Sequence, residues 1–464
     1  MENNSLPITS LALRTVESHK KYFASGITLS YEFRYKQLSK FESLMKANES
    51  AFSEALHKDF RKSPFEAFAT EIALVSEEIK YLKKHLAKLM RPTRVFTPIA
   101  HQPGRSYELA HPYGNVLVIA PWNYPVQLSL IPIVGAIAAG NTVVLKPSEL
   151  APHTSQLITK LMHDNFPVEL ITCFEGDAET SKLLLELPFN YIFFTGSPQV
   201  GKYVYQKAAE QLIPITLELG GKSPAIIDDT VDIKKAVKRI VWGKCVNAGQ
   251  TCVAPDYVLV KRSVRDSFID AFKQVTEEFY GEDPSLSPDY PRIINERHYK
   301  RITKLMNDIK ILAGGRVIPA DLYIEPTLLE VISLEHQVMK EEIFGPLLPM
   351  ITYQEDKELA EIIGHNPNPL ALYLFSKSNK LKRMLIEDTS FGSGCINDTI
   401  IQFANANFAV GGVGNSGIGA YHGKRSFDTF SHKKAIINRS FWFDLPLRYP
   451  PYAGKLQWVK KVIG

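Results

Sequence analysis

The sequence predicts an α/β protein built on a parallel, doubly wound sheet. Short apolar runs recur as strand candidates at Asn115 to Ala120 (NVLVIA), Asn141 to Leu145 (NTVVL), Val168 to Phe174 (VELITCF) and Asn190 to Phe194 (NYIFF). Helical stretches from Ala151 to Asn165 and from Ala178 to Leu187 separate the later runs, and strand–helix alternation of this kind is the mark of parallel pairing. A second α/β series starts near Leu217. With 464 residues, 45% of them hydrophobic, the chain can bury about three structural units and hold a cleft between them.

Taken in order, residues 10 to 90 carry helical patterning with mixed charges, as in Tyr31 to Ala51, until Pro92 and Pro98 interrupt it. No Asp, Glu, Lys or Arg lies between Glu108 and Lys146, a stretch long enough to span a bilayer. Pro121, Asn123, Pro125, Gln127, Pro132, Gly140 and Asn141 break it, however. Strand and turn chemistry therefore predicts short buried pieces lining a site, not one helix. The second series has strand candidates at Ser223 to Ile227 and Tyr257 to Val260 around a long helix from Asp232 to Val246. Beyond about residue 400 the chain turns aromatic and Gly-rich, with GGVGNSGIG at 411–419 and RYPPY at 448–452, which suggests an arm that packs on something. There is no internal repeat and no low-complexity segment.

Composition excludes several classes of protein. A charged fraction of 22%, 27 Gly, 29 Pro and 4 Cys rule out disorder, collagen and a disulfide-stapled scaffold. The net charge of +5 comes from scattered basic pairs such as Lys20-Lys21, Lys83-Lys84 and Lys433-Lys434, so no nucleic-acid partner is expected. The first 23 residues have no basic, apolar and small-residue succession of a leader, and a cytoplasmic protein is expected. Cys173, Cys245, Cys252 and Cys395 have neither metal nor disulfide-framework spacing and are read as reduced thiols. The 12 His are dispersed, and no metal site is expected.

Four places carry candidate chemistry. In FFTGSPQVGK a buried strand is followed by Ser197 as helix N-cap and Pro198 at the first helical position, which presents free N–H groups to an anion such as a pyrophosphate. The same residues also suit a capped helix with no ligand. A phosphate loop of the GxxxxGK[ST] type fails, because Tyr203 stands where a magnesium-binding hydroxyl is needed, so a nucleoside triphosphatase is not expected. Cys252 lies in a small, polar loop (NAGQTCVAPDY) between a helix and a strand, the setting of a nucleophile or else of an inert thiol; the other three cysteines read as inert. Glu218, between Leu217 and Leu219, is either a desolvated general base or the partner of Lys222 or Lys202. Asn123, in APWNYP, is either an oxyanion donor or a turn residue between prolines.

With these residues in hand, the sequence resembles the NAD(P)-dependent aldehyde dehydrogenase superfamily over nearly its whole length. The motifs are PWNYP (121–125), KPSE (146–149), FTGSPQVGK (194–202), LELGGKSP (217–224), GQTC (249–252) and EEIFGPLLP (341–349). CVAPDY after GQT and the RYPPY tail resemble the class 3 branch, dimeric enzymes of fatty and aromatic aldehydes.

The resemblance implies oxidation of an aldehyde to a carboxylic acid. Cys252 would form a thiohemiacetal, Asn123 and the Cys252 N–H would hold its oxyanion, and Glu218 would activate the water that hydrolyses the ensuing thioester. For the cofactor it implies Trp122, Lys146, Glu149, Gly196, Ser197, Gly201, Glu342 and Phe344, with NAD expected and NADP as the alternative. It further implies a Rossmann-like cofactor domain (1–216), an α/β catalytic domain (217–400) and a C-terminal segment (401–464). That last segment would join residues 93–112 in a bridging β arm of a homodimer. The tail GKLQWVKKVIG is not the hydrophobic helix of the branch's membrane-bound members, so no stable membrane anchor is expected. Three alternatives stay open: a semialdehyde-specific or acylating dehydrogenase, a NAD-independent cysteine hydrolase or acyltransferase, and a catalytically silent relative.

Overall fold

The computed structural model describes residues 8–463; of the opening stretch read for a leader, residues 1–7 lie outside the described residues. The chain opens on helices Ile8–Ala24, Tyr31–Ala47, Glu49–Phe60, Pro64–Ala67 and Ala73–Leu89, the last entered through a π-helical turn at Phe68–Ile72. The expected Tyr31 to Ala51 helix stops at Ala47, and Asn48 starts the next one.

The strands follow in chain order: β1 (Thr93–Val95), β2 (Gly104–Pro112), β3 (Asn115–Ile119), β4 (Thr142–Lys146), β5 (Ile171–Cys173), β6 (Tyr191–Thr195), β7 (Ile215–Glu218), β8 (Pro224–Ile227) and β9 (Tyr257–Lys261). After them come β10 (Lys310–Ala313), the hairpin β11 (Val317–Ile318) and β12 (Tyr323–Ile324), β13 (Thr327–Glu330), β14 (Leu347–Tyr353), β15 (Ala371–Phe375), β16 (Ser393–Ile396), β17 (Gly417–Ile418) and β18 (Ser431–Arg439).

Two doubly wound sheets result. The first has order β17-β7-β6-β3-β4-β5, parallel except for β17. The second has order β10-β13-β14-β9-β8-β15-β16, parallel except for β10. β7 crosses the 216/217 boundary drawn from sequence, so Glu218 belongs to the first sheet. A third, antiparallel sheet β1-β2-β18 joins residues 93–112 to the C-terminal region.

Alternation explains why the strands of the first sheet are apolar throughout. Val116, Val118, Val143 and Leu145 pack with Phe41, Val75 and Leu82 of the opening helices, whereas Leu117, Val144 and Ile192 pack with Ala12 and Val16. The strand expected at 168–174 shortens to β5, because the N–H groups of Leu170 and Ile171 turn back to the Pro167 carbonyl.

One expectation is corrected. The uncharged segment between β3 and β4 is not only strand and turn: Gln127–Ala139 is a helix, with Pro132 inside it and all thirteen residues buried. A helix apolar all round shows no stripe to read, and burial against the opening helices and the sheet offsets the cost of its proline. No helix among the described residues is long and apolar enough to cross a membrane.

Candidate functional site

A cavity of about 860 Å³ opens where the carboxyl ends of β6 and β7 meet the amino ends of β8 and β15; its lining includes Thr195, Glu218, Lys222 and Leu370. Carboxyl ends of parallel strands are where an open α/β sheet binds its ligands. Cys252 and Asn123 share this cavity with Glu218, and Leu128, Phe403 and the Tyr421 ring add apolar surface to its lining. Trp122, Glu342, Phe344, Gly196 and Ser197 line it elsewhere.

Cys252 reaches the cavity through an unusual turn. Helix Ile233–Cys245 ends, and Asn247 (φ 54°), Ala248 (φ 51°) and Gly249 (φ 75°) follow in the left-handed region. Left-handed non-glycine residues are costly and persist only when their surroundings hold them. Here the Glu66 carboxylate accepts from the Asn247 N–H (2.8 Å), and the Asn247 side chain donates to the carbonyls of Asn123 (2.8 Å) and Gln250 (3.1 Å). The Gln250 amide donates to Asn247 O and Arg292 O, both at 3.0 Å, and accepts from the Ile294 N–H (2.9 Å). Tyr124 and Thr251 share a hydroxyl hydrogen bond of 2.5 Å.

The Asn123 segment is held from below. Lys62 and Glu71 form an ion pair of 2.7 Å with both side chains wholly buried. Lys62 also donates to Asn123 O (3.4 Å), and the other Glu71 oxygen accepts from the N–H groups of Val126 (2.7 Å) and Gln127 (3.3 Å) at the buried helix start. The Asn123 side-chain amide gives one hydrogen to Gln250 O (3.2 Å) and keeps the second for the cavity.

Burial pushes the Cys252 thiol up to about 12, and the nearby carboxyls of Glu342 and Glu218 add to this, against the backbone N–H groups of Cys252 and Val253. The thiol is therefore neutral until something removes its proton. Desolvation also holds the Glu218 carboxyl well above the usual range. Its Oε1 is buried with no hydrogen-bond partner, and the ion pair weighed for it does not form, since Lys222 pairs with Asp256 and donates to Val338 O (2.9 Å) and Glu341 O (2.8 Å). Burial likewise pushes Cys173 and Cys245 up to about 12, and they stay inside the core.

At the other end of the cavity, Ser197 caps helix Pro198–Glu210 by accepting from the Val200 N–H, with Pro198 at the first position. The Trp122 ring lies 4.8 Å from His298 and edge-on to Phe344 at 5.3 Å. Phe344 sits at φ 51°, and Arg301 holds its neighbours by donating to the carbonyls of Glu342 (3.3 Å) and Ile343 (2.5 Å). Burial, with Asp256 next, pushes the Glu342 carboxyl up to about 8. Glu342 Oε1, Thr195 Oγ1 and His298 Nδ1 are buried without a partner. Unpaired acceptors and donors beside a helix amino end and aromatic faces fit a dinucleotide with its hydroxyls, pyrophosphate and nicotinamide ring.

Three of the expected cofactor contacts do not line this cavity. Lys146 and Glu149 pair with each other at 2.6 Å at the end of β4, and Gly201 is buried where a side chain would strike Leu219. Of the aromatic residues weighed for the tunnel, Phe403 lines the cavity, whereas Tyr124 and Phe391 do not. Sequence reasoning missed Lys62, Glu66, Glu71, His298 and Tyr421, which no local motif marks. No cluster of His, Cys, Asp or Glu able to hold a metal occurs among the described residues.

Two wound sheets with a thiol, a carboxyl and a groove that fits a dinucleotide at their junction describe an enzyme of the α/β class. Residues 12–436 match the Aldehyde dehydrogenase family, and the chain belongs to it. It is 47% identical to the 4,4'-diaponeurosporen-aldehyde dehydrogenase of Staphylococcus aureus, over 95% of this chain and 96% of that protein. Aldehyde dehydrogenase family 3 member B2 of Mus musculus is 42% identical over 94% and 92% of the two chains. A substrate-bound structure of Staphylococcus aureus AldH superposes with a TM-score of 0.95 at 46% identity, covering 97% of this chain and 99% of that one. The enzyme oxidises an aldehyde to a carboxylic acid and reduces NAD(P).

Proposed function

We propose that Cys252 is the nucleophile, Glu218 the general base and Asn123 the oxyanion donor of this oxidation. The observation that carries the reading is a buried, unpaired Glu218 carboxyl in one cavity with the Cys252 thiol and the Asn123 amide. The thiol proton passes to water in the cavity, and Cys252 Sγ bonds to the aldehyde carbon. The carbonyl oxygen, now negative, accepts from the Asn123 Nδ2 and the Cys252 N–H. Bound NAD(P) supplies the acceptor for the hydride that leaves the thiohemiacetal carbon. A thioester on Cys252 remains; the Glu218 carboxylate takes a proton from a water whose oxygen adds to the acyl carbon, the C–S bond breaks, the acid leaves and the Cys252 sulfur recovers its proton.

Trp122, Glu342, Phe344, Gly196 and Ser197 hold the cofactor along the cavity, and Lys146 and Glu149 hold the adenosine ribose beyond it. Gly201 serves by letting the Pro198–Glu210 helix approach Leu219 closely enough to aim its amino end at the pyrophosphate. Glu149 favours a free 2′-hydroxyl and hence NAD; NADP is accepted when Lys146 turns to a 2′-phosphate.

The substrate is an apolar aldehyde, fatty or aromatic, and its wall is Leu128, Phe403 and Tyr421. The Staphylococcus aureus relative is named for an aldehyde of its own, 4,4'-diaponeurosporen-aldehyde, which supports an organic aldehyde as the substrate here. Glu218 favours water over another acyl acceptor. The enzyme works in the cytoplasm as a homodimer. Residues 1–216, 217–400 and 401–464 divide broadly into cofactor, catalytic and arm-bearing parts, and the exposed outer strand β18 offers an edge for the dimer.

The test is initial-rate formation of reduced nicotinamide by wild type and Cys252→Ala on short aliphatic, long aliphatic and aromatic aldehydes with NAD or NADP. Turnover is expected to vanish in the variant, with long or aromatic aldehydes and NAD preferred. Full activity in the variant would sink the role given to Cys252.

A further inference from the structure

The cysteine turn is gripped from a side that the mechanism above does not use. Ala254 N–H donates to Thr251 O at 3.0 Å, which closes a four-residue turn with Cys252 and Val253 at its centre. The carbonyl of the same 253–254 peptide, Val253 O, accepts from the Tyr373 hydroxyl at 2.5 Å. Both faces of that peptide are therefore tied, and it cannot flip without breaking both bonds.

Tyr373 stands on β15 with no exposed surface. A phenol has one proton to give. Gln402 fixes where that proton goes, because its Nε2 donates to the Tyr373 oxygen at 3.1 Å and leaves only Val253 O to receive the hydroxyl hydrogen. Gln402 is itself oriented at both ends of its amide. The Cys395 thiol donates to its Oε1 (2.9 Å), and Nε2 also reaches Ser393 Oγ (3.3 Å). The next residue, Phe403, is part of the cavity wall.

We propose that Tyr373 is a positioning residue for aldehyde oxidation, holding the Cys252 turn in its reactive orientation, and that Gln402 acts on the turn through Tyr373. The inference rests on Cys252 being the nucleophile. Loss of the hydroxyl leaves a buried carbonyl unpaired and the 253–254 peptide held at one face only. The thiol then samples orientations from which attack on the aldehyde carbon is poor, a loss of rate with little loss of substrate binding.

The experiment uses Tyr373→Phe, Gln402→Met, the double variant and Cys252→Ala in the full chain. Two quantities are read: steady-state kcat and KM with NAD and one good aldehyde, and the second-order rate of iodoacetamide alkylation without cofactor, followed by mass on the Cys252 peptide so that Cys395 does not contribute. Tyr373→Phe is expected to lower kcat and the alkylation rate about tenfold, with KM within about twofold. Gln402→Met is expected to lower both about threefold, and the double variant to be no worse than Tyr373→Phe, as for two residues acting in series. Wild-type kcat and alkylation in Tyr373→Phe, or losses that multiply in the double variant, overturn the inference. Should Tyr373→Phe not fold, Gln402→Met keeps the tyrosine, and an unchanged alkylation rate in it overturns the inference equally. Turnover that survives in Cys252→Ala overturns the nucleophile reading instead.

Discussion

The two ends of the cavity follow opposite plans. Around Cys252 the turn that carries the nucleophile is tied to the protein itself, while Glu218 Oε1 is left unpaired: Glu66 holds Asn247, Gln250 bridges to Arg292 and Ile294, and Tyr124 and Tyr373 grip Thr251 and Val253. Around Trp122 and Phe344, Glu342 Oε1, Thr195 Oγ1 and His298 Nδ1 are buried with no partner among the described residues. A nucleophile must be held before the substrate arrives, so its turn is fixed from all sides. A cofactor groove offers half of each hydrogen bond and receives the other half from its ligand. Substitutions at the first end should therefore act on rate, and those at the second on stability without cofactor and on cofactor binding.

The sharpest division comes from Glu218→Gln. Steady-state turnover should fall about 10²- to 10⁴-fold. A rapid first burst of reduced nicotinamide should survive in stopped flow, since the thiol proton goes to water and only release of the acyl group needs the carboxylate. Next, Asn123→Ala should lower kcat about 10²- to 10³-fold with a smaller change in KM, measured at saturating cofactor.

Behind them, Lys62→Met leaves Glu71 buried without its counter-charge and should cost about 3 kcal/mol in urea unfolding, because removing one partner of a buried ion pair leaves an uncompensated charge. Activity should fall as well, since Lys62 and Glu71 hold the Asn123 segment. A stability loss with unchanged kcat would separate the opening helices from the site.

The smallest effect tests the open end. The Glu342 carboxyl is raised from 4.5 to about 8, so the folded protein holds this proton more tightly than the unfolded chain does. Its stabilising contribution is full below about 4.5 and is lost as pH rises through about 8. Glu342→Gln removes that loss. By calorimetry without cofactor, its Tm should match wild type at pH 5 and exceed it by about 1–3 °C at pH 9. An equal shift at both pH values would show that the carboxyl does not titrate as the comparison requires.

Much of the frame was legible in the sequence. β3, β4 and β6 sit within a residue of the apolar runs that announced them, and Ser197-Pro198 starts a helix as its chemistry demands. Helix Gln127–Ala139 was not legible, because Pro132 argues against it and a fully buried helix carries no polar stripe. Nor was the support beneath the site. Lys62, Glu66 and Glu71 read as ordinary charges of a helical region, and only packing brings them under Asn123 and Asn247, which lie 61 and 181 residues away in the pairs that bond. The left-handed turn at Asn247 and Ala248 was hidden for the same reason. Their side chains do not require it, and distant partners impose it.

The account stands or falls on a covalent acyl group at Cys252 whose release needs Glu218. The direct measurement is to mix Glu218→Gln with NAD and a long-chain aldehyde, quench in acid, and weigh the peptide that contains Cys252. The account predicts one acyl group per chain, at the mass of the aldehyde's acid less water, on that peptide and no other. An unmodified Cys252 in a variant that turns over at the wild-type rate would contradict it.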